Sequence, residues 1–259
     1  MLAPLLAALM CAGLGVYAPA SSGLQTLAAL GVPTSARLRL GPPASARAPT
    51  SDRLYVLPDS VLTITRLQYE GGGDWYANPS SLPNLLAAIR ERTGLPVSAQ
   101  PQTVRPLDPT LKDHPYLYMT GHGNVRFSPE ERTALREYLL AGGFLHADDN
   151  YGMDESFREE IAEIFPEYGL AEIPPDHAVF RMMYDFPEGL PKIHEHDGKP
   201  PQAFGIFHGG RLVVFYSYES DLGDGWEDAD VHDDAPDVRE SALRMGVNLY
   251  LYVLSQMVP

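Results

Sequence analysis

From Val61 onward, short strand-like runs alternate with helical stripes, and glycine marks most of the junctions. Val61–Tyr69 alternates apolar and polar residues and stops at Gly71-Gly72-Gly73. Leu85, Leu86 and Ile89 then share one face of a helix closed by Gly94. Tyr116–Thr120 is a short aromatic strand. Ser128-Pro129-Glu130-Glu131 places a Ser at a helix cap, Pro at the first helical position and Glu opposite the cap, so a helix should run to about Leu140 and end at Gly142-Gly143. Phe144–Ala147 is another strand, and Asp154 can cap a helix carrying Phe157, Ile161 and Ile164. Leu212–Tyr218 is strand-like after Gly209-Gly210, and Pro236–Val258 reads as a long helix with Leu243, Val247, Leu251 and Leu254 on one side. This alternation predicts an α/β fold of three layers, a mainly parallel sheet with helices on both faces; the later hairpin-like region suggests a mixed edge.

Residues 1–20 are uncharged and rich in Leu, Ala and Met, with Ala18 and Ala20 offering a small-residue cleavage site. They read as a signal peptide without its basic n-region, which implies export to the periplasm or beyond. An uncleaved membrane anchor is the alternative, although Pro4, Gly13, Gly15 and Pro19 make a poor spanning helix. A lipid on Cys11 is disfavoured by Met10 before it. Residues 21–60 are a Pro/Ala/Ser-rich lead-in, and 61–259 form a single α/β domain. Cys11 is the only cysteine, so a mature domain without the leader has no thiol for catalysis, disulfides or thiolate metal sites. The formal net charge is −15 with no basic cluster, which excludes phosphate-backbone recognition and leaves a small molecule or saccharide as the expected partner. Nothing in the sequence speaks to oligomeric state.

Open α/β sheets bind ligands beyond the carboxyl ends of their strands. Three such ends carry unusual residues. They are Gly72-Gly73-Asp74-Trp75, His122 and Asn124 within Thr120–Asn124, and His146, Asp148 and Asp149. The glycines could bring backbone N–H groups close to an anion, or simply form a turn. His146 and Asp148 are two apart and share a face of an extended segment, as a base and a metal ligand would; the alternative is that Asp148 or Asp149 caps the following segment while His146 makes a buried hydrogen bond. Asp149 points the other way and can instead cap the next segment. His194 and His196 repeat the spacing, which suits an imidazole metal site if a third ligand joins them. Asp221 and Asp224, in Glu219–Asp228, offer carboxylates to a divalent cation, or organise turns. Trp226 beside these acids could stack on a sugar, though packing is the plainer reading. His177 reads as a loop histidine, and His114 and His232 as surface residues.

The segments LQYEGGGDWY, YLYMTGHGNVRFS, GGFLHADDNYGMD, LPKIHEHDGKPP, YESDLGDGWED and ALRMGVNLYLY together resemble the bacterial family of domain of unknown function 4159, from about Val61 to Ser255. The resemblance implies a fold like class I glutamine amidotransferases and the trehalose-utilisation-like proteins, in exported or membrane-associated settings, with no established activity. Amidotransferases keep a catalytic Cys at a strand-to-helix elbow. Here Gly143–Asp148 holds neither Cys nor Ser there, which rules out glutaminase chemistry through a thiol; a His at this strand end, as in the trehalose-utilisation-like branch, fits His146. Two functions remain. One is a metal-assisted, hydrolase-like enzyme with His146 and Asp148 as catalytic groups and a divalent ion supplying the nucleophile. The other is a non-catalytic ligand-binding or envelope assembly domain.

Overall fold

The computed structural model describes residues 62–257; the leader and lead-in readings for 1–20 and 21–60 lie outside them. Strands β1 (Thr65–Leu67), β2 (Gln102–Val104), β3 (Tyr116–Gly121), β4 (Phe144–Asp149), β5 (Ala171–Glu172), β6 (Gln202–His208) and β7 (Arg211–Tyr218) form one seven-stranded sheet in the order β2-β1-β3-β4-β7-β6-β5. The first five strands in that order pair in parallel, while β6 and β5 are antiparallel, the mixed edge that the hairpin-like region suggested. The helices are α1 (Ser81–Thr93), α2 (Pro129–Leu140), α3 (Asp154–Ile164), the short α4 (Leu222–Trp226) and α5 (Pro236–Met257). None of the described helices is long and apolar enough to cross a membrane.

Alternation along the central strands feeds two cores. Tyr116, Tyr118, Phe144 and Phe215 face α1, α4 and α5, where Leu85, Ile89, Trp226 and Met245 are buried. Leu117, Met119, Leu145 and Val214 face α2 and α3, against Leu135, Leu139, Phe157 and Ile161. The result is a three-layer, mostly parallel α/β architecture. Burial on both faces explains why β3 reads as a nearly continuous apolar and aromatic run rather than clean alternation.

Local signals hold where side chains terminate elements. Ser128 accepts from the Glu131 amide at 3.2 Å, and Glu131 accepts from the Ser128 amide at 2.8 Å, completing the capping box. Gly94 closes α1 in the left-handed region at φ 71°. Asp154, expected to cap α3, is instead its first helical residue, and the orphan amide of Met153 bonds Asp149 Oδ1 at 3.2 Å. The short strands β2 and β5 and helix α4 carried no sequence signal long enough to see.

The triple glycine is a backbone crossing. Arg126 N donates to Glu70 O (2.7 Å), Gly73 N to Asn124 O (3.0 Å) and Asp74 N to His122 O (3.2 Å), so the loops after β1 and β3 are laced together. At Gly71, φ is +117° and a Cβ would lie 2.8 Å from both Arg126 N and Asn124 O. Gly71→Ala is therefore expected to lose about 1–3 kcal/mol in urea unfolding, because neither backbone can give way. An unchanged midpoint would show the crossing to be dispensable.

Candidate functional site

The carboxyl ends of β1, β3, β4 and β7 converge on one edge, and the expected residues fall into three groups there. Asp74 and His122 follow β1 and β3, the pair that flanks the point where strand order reverses. Asp74 Oδ2 lies 3.1 Å from His122 Nδ1, and its other oxygen accepts from the His122 amide. The His122 side chain is half exposed, with Nε2 turned from this clamp. Gly72 is exposed at φ +94°, the Gly73 amide is consumed by the crossing, and Asn124 contributes its carbonyl to it. Trp75 packs partly buried, edge-on to the exposed Tyr76.

The second group follows the alternative of buried hydrogen bonds and not the catalytic reading. His146 and Asp148 do share a face, but both are fully buried in the core and line no opening. His146 Nδ1 is 3.2 Å from the Tyr116 hydroxyl and Nε2 is 2.9 Å from Ser217 Oγ. Burial pushes this imidazole down to about 3, so it is neutral at ordinary pH. Asp148 is saturated by donors: Ser217 Oγ and the Leu222 amide (3.3 Å) on one oxygen, the Tyr118 hydroxyl (3.1 Å) and the Gly223 amide (2.6 Å) on the other. Burial pushes its carboxyl up to about 6, against the bonds from Ser217, Gly223 and Tyr118. A carboxylate has about four lone-pair sites, so Asp148 has none left for an ion. It pins the start of α4. Asp149 sits on the opposite face, bonding Tyr216 and the amides of Tyr151 and Met153.

The third group is an imidazole–carboxylate cluster over α4. Ile193 N and His194 N both donate to Ser220 O (2.9 and 3.4 Å), and Ser220 Oγ donates to Pro191 O, so residues 191–196 are docked along 219–221. His194 Nδ1 meets Asp224 Oδ2 at 2.8 Å, and its Nε2 meets Asp234 Oδ1 at 2.7 Å. His196 Nε2 lies 3.0 Å from Asp221 Oδ2, its ring stacked on exposed Tyr151. His232, expected at the surface, is turned inward: Nε2 is 3.2 Å from Glu227 Oε2 and 3.6 Å from Asp224 Oδ2. Thus all four residues expected to hold a metal, His194, His196, Asp221 and Asp224, meet in space.

Glu219 and Asp221 hold the left-handed region at φ 56° and 64°, unusual for residues with side chains, and this bend turns the chain from β7 into α4. Asp221 is 1% exposed, and burial, then the neighbouring Asp224 and Asp148, push its carboxyl well above the usual range. The partners of Asp221, Asp224 and Asp234 are imidazoles and carboxamides, which bring no permanent positive charge. Asp234 Oδ2 is buried without a hydrogen-bond partner. Asn78 Nδ2 donates to Asp224 Oδ1 at 2.6 Å. Trp226 is wholly buried with Nε1 on Ala242 O, so it packs and offers no sugar platform.

Asn78, Asn150, Glu227, His232 and Asp234 belong to the cluster but were missed. The one available signal was the density of acids around His232 between Asp224 and Asp234. The asparagines carry no such signal, since their role depends on strand order.

No match is found among curated proteins. A family model covers residues 63–254, almost all of the described domain, and the chain belongs to the family described as Domain of unknown function (DUF4159).

Proposed function

We propose that this domain binds a divalent transition-metal ion through His194 Nδ1, His232 Nε2 and Asp224 Oδ2, and uses it to activate water for hydrolysis of a small molecule or saccharide. The observation that carries the reading is the approach of these three donor groups to within 4.8 Å of one another. Three protein ligands of nitrogen and oxygen leave a fourth position for water, the pattern of catalytic rather than structural zinc sites. The surroundings support it: Asp234 holds the far nitrogen of His194 and Asn78 holds the second oxygen of Asp224, as outer partners of metal ligands do. A bound ion would lower the pKa of its water to about 7. Glu227 Oε2, 3.2 Å from His232 Nε2, would be a carboxylate within reach of the centre to accept a proton.

A second reading, ligand binding without catalysis, is favoured by the enclosure of His146 and Asp148, which removes the two side chains first expected to do chemistry. Two measurements separate the readings. Elemental analysis of purified protein should give one zinc-class ion per chain, lost in His194→Ala and His232→Ala, with affinity down at least a hundredfold. A metal-free parent that takes up no added zinc would end the metal reading. Zinc without turnover of 4-nitrophenyl acetate or a panel of glycosides would leave the binding domain.

The order β2-β1-β3-β4 in parallel supports a class I glutamine amidotransferase-like, flavodoxin-type placement. The apolar leader supports action outside the cytoplasm, which mass spectrometry of the mature amino terminus would test.

A further inference from the structure

Three hydrogen bonds join Asp74 to His122. The Asp74 amide donates to His122 O at 3.2 Å, the His122 amide donates to Asp74 Oδ1, and His122 Nδ1 lies 3.1 Å from Asp74 Oδ2. One carboxylate thus fixes both the backbone and the ring of the histidine. Gly121, at φ +148°, permits this approach, since a Cβ there would lie 3.1 Å from the Asp74 carbonyl. An ionised carboxylate only accepts hydrogen bonds, so the neutral ring carries its proton on Nδ1 and keeps the Nε2 lone pair clear of the clamp. A half-exposed ion pair adds little stability by itself. The clamp is better accounted for by what Nε2 can do.

The pair adjoins the histidine centre. A Cβ on Gly152 would meet Gly123 N at 3.6 Å, so the loop after β3 touches the loop after β4, where Tyr151 stacks on His196. The loop after β1 starts at the clamp with Asp74 and ends at Asn78, which donates to Asp224. We infer that His122 is a catalytic base, positioned by Asp74, for hydrolysis of an acyl ester bound along this strand edge. Nε2 takes a proton from water as the water oxygen bonds the carbonyl carbon. It returns that proton to the departing alkoxide as the ester C–O bond breaks, so acid and alcohol form with no further reactant. Asp74 keeps the ring oriented and steadies the imidazolium between the two transfers. A single carboxylate-held imidazole suits an ester better than a glycosidic bond, whose cleavage commonly uses two carboxyl groups. Exposure favours His122 as well, because Glu227 is 4% exposed and His122 is open to a substrate. The inference rests on the hydrolytic reading, to which it adds a substrate class and a proton carrier, but the clamp itself needs no ion.

The test substitutes Asp74→Asn and His122→Ala, with 4-nitrophenyl acetate as substrate and zinc content measured on each protein. In Asp74→Asn the one remaining oxygen is claimed by the His122 amide. The new NH₂ then faces Nδ1, which must accept, and the ring proton moves to Nε2. Nitrogen-15 NMR should therefore find the Nδ1–H form of neutral His122 in the parent and the Nε2–H form in Asp74→Asn. Ester kcat/KM should fall about a hundredfold or more in both variants, the usual scale for losing a general base. Zinc uptake should be unchanged, and free imidazole should restore part of the activity of His122→Ala beyond its own background rate. A parent with the proton on Nε2 would overturn the dyad. Parental ester rates in either variant, or no ester hydrolysis by the parent, would overturn it too, and zinc uptake would still decide the metal reading. Dyad-dependent hydrolysis by a protein that takes up no zinc would sustain the dyad and end the metal reading.

Discussion

Replacing Asp148 with Ala is expected to destabilise the domain by about 3–5 kcal/mol and to weaken metal binding at a centre it does not touch. The hydroxyls of Tyr118 and Ser217 can turn to other acceptors, but the amides of Leu222 and Gly223 cannot. Each unmatched buried donor costs about 1–3 kcal/mol, and the lost side-chain volume adds to it. Because those two amides begin the turn between Asp221 and Asp224, their release also loosens the proposed ligand Asp224. Asp148→Asn keeps one acceptor oxygen and should fall between parent and Ala. Denaturant unfolding and zinc affinity, measured on both variants, check the ordering. Full zinc affinity in a destabilised Asp148→Ala protein would mean that α4 stays in place without its anchor.

Acid should expose the burial of His146. Its imidazole stays neutral down to about 3 in the folded protein, whereas in the unfolded chain it protonates near 6.5. Between those values the unfolded state binds the extra proton, so this group's contribution is intact above 6.5 and declines as pH falls towards 3. His146→Gln supplies a similar shape without titrating. The stability advantage of parent over variant should therefore shrink by about 2 kcal/mol between pH 7.5 and pH 5, at about 1.4 kcal/mol per unit below 6.5. Subtracting the variant matters, because Asp148, pushed up to about 6, works in the other direction: its protonation favours the folded state as pH falls through that value. A gap independent of pH would place His146 in contact with water.

The fold was legible because its signals are local. The capping box, the Gly94 stop and the apolar stripes of α1 and α5 are each decided by a few neighbouring residues. The site was half legible for the same reason. The spacings of His194 with His196 and of Asp221 with Asp224 put candidate ligands on the correct segments, but burial is a property of the assembled sheet. His146 and Asp148 lie on the face that Trp226 and Phe215 close over, and their sequence neighbours do not announce it. His232 failed in the reverse sense: its flanking acids read as solvent-facing, yet it packs edge-on against His194 with ring centroids 4.9 Å apart.

The docking of residues 191–196 along 219–221 also bears on how the protein comes to life. Asn78, Asn150, His194, Asp221 and His232 belong to segments that meet only after β7 has entered between β4 and β6. A nascent chain emerged as far as Asn150 carries both asparagines but not one of the histidines or aspartates of the cluster. Such long-range closure is the slow part of folding. Ion capture would therefore be a completion signal, available to finished molecules and withheld from fragments.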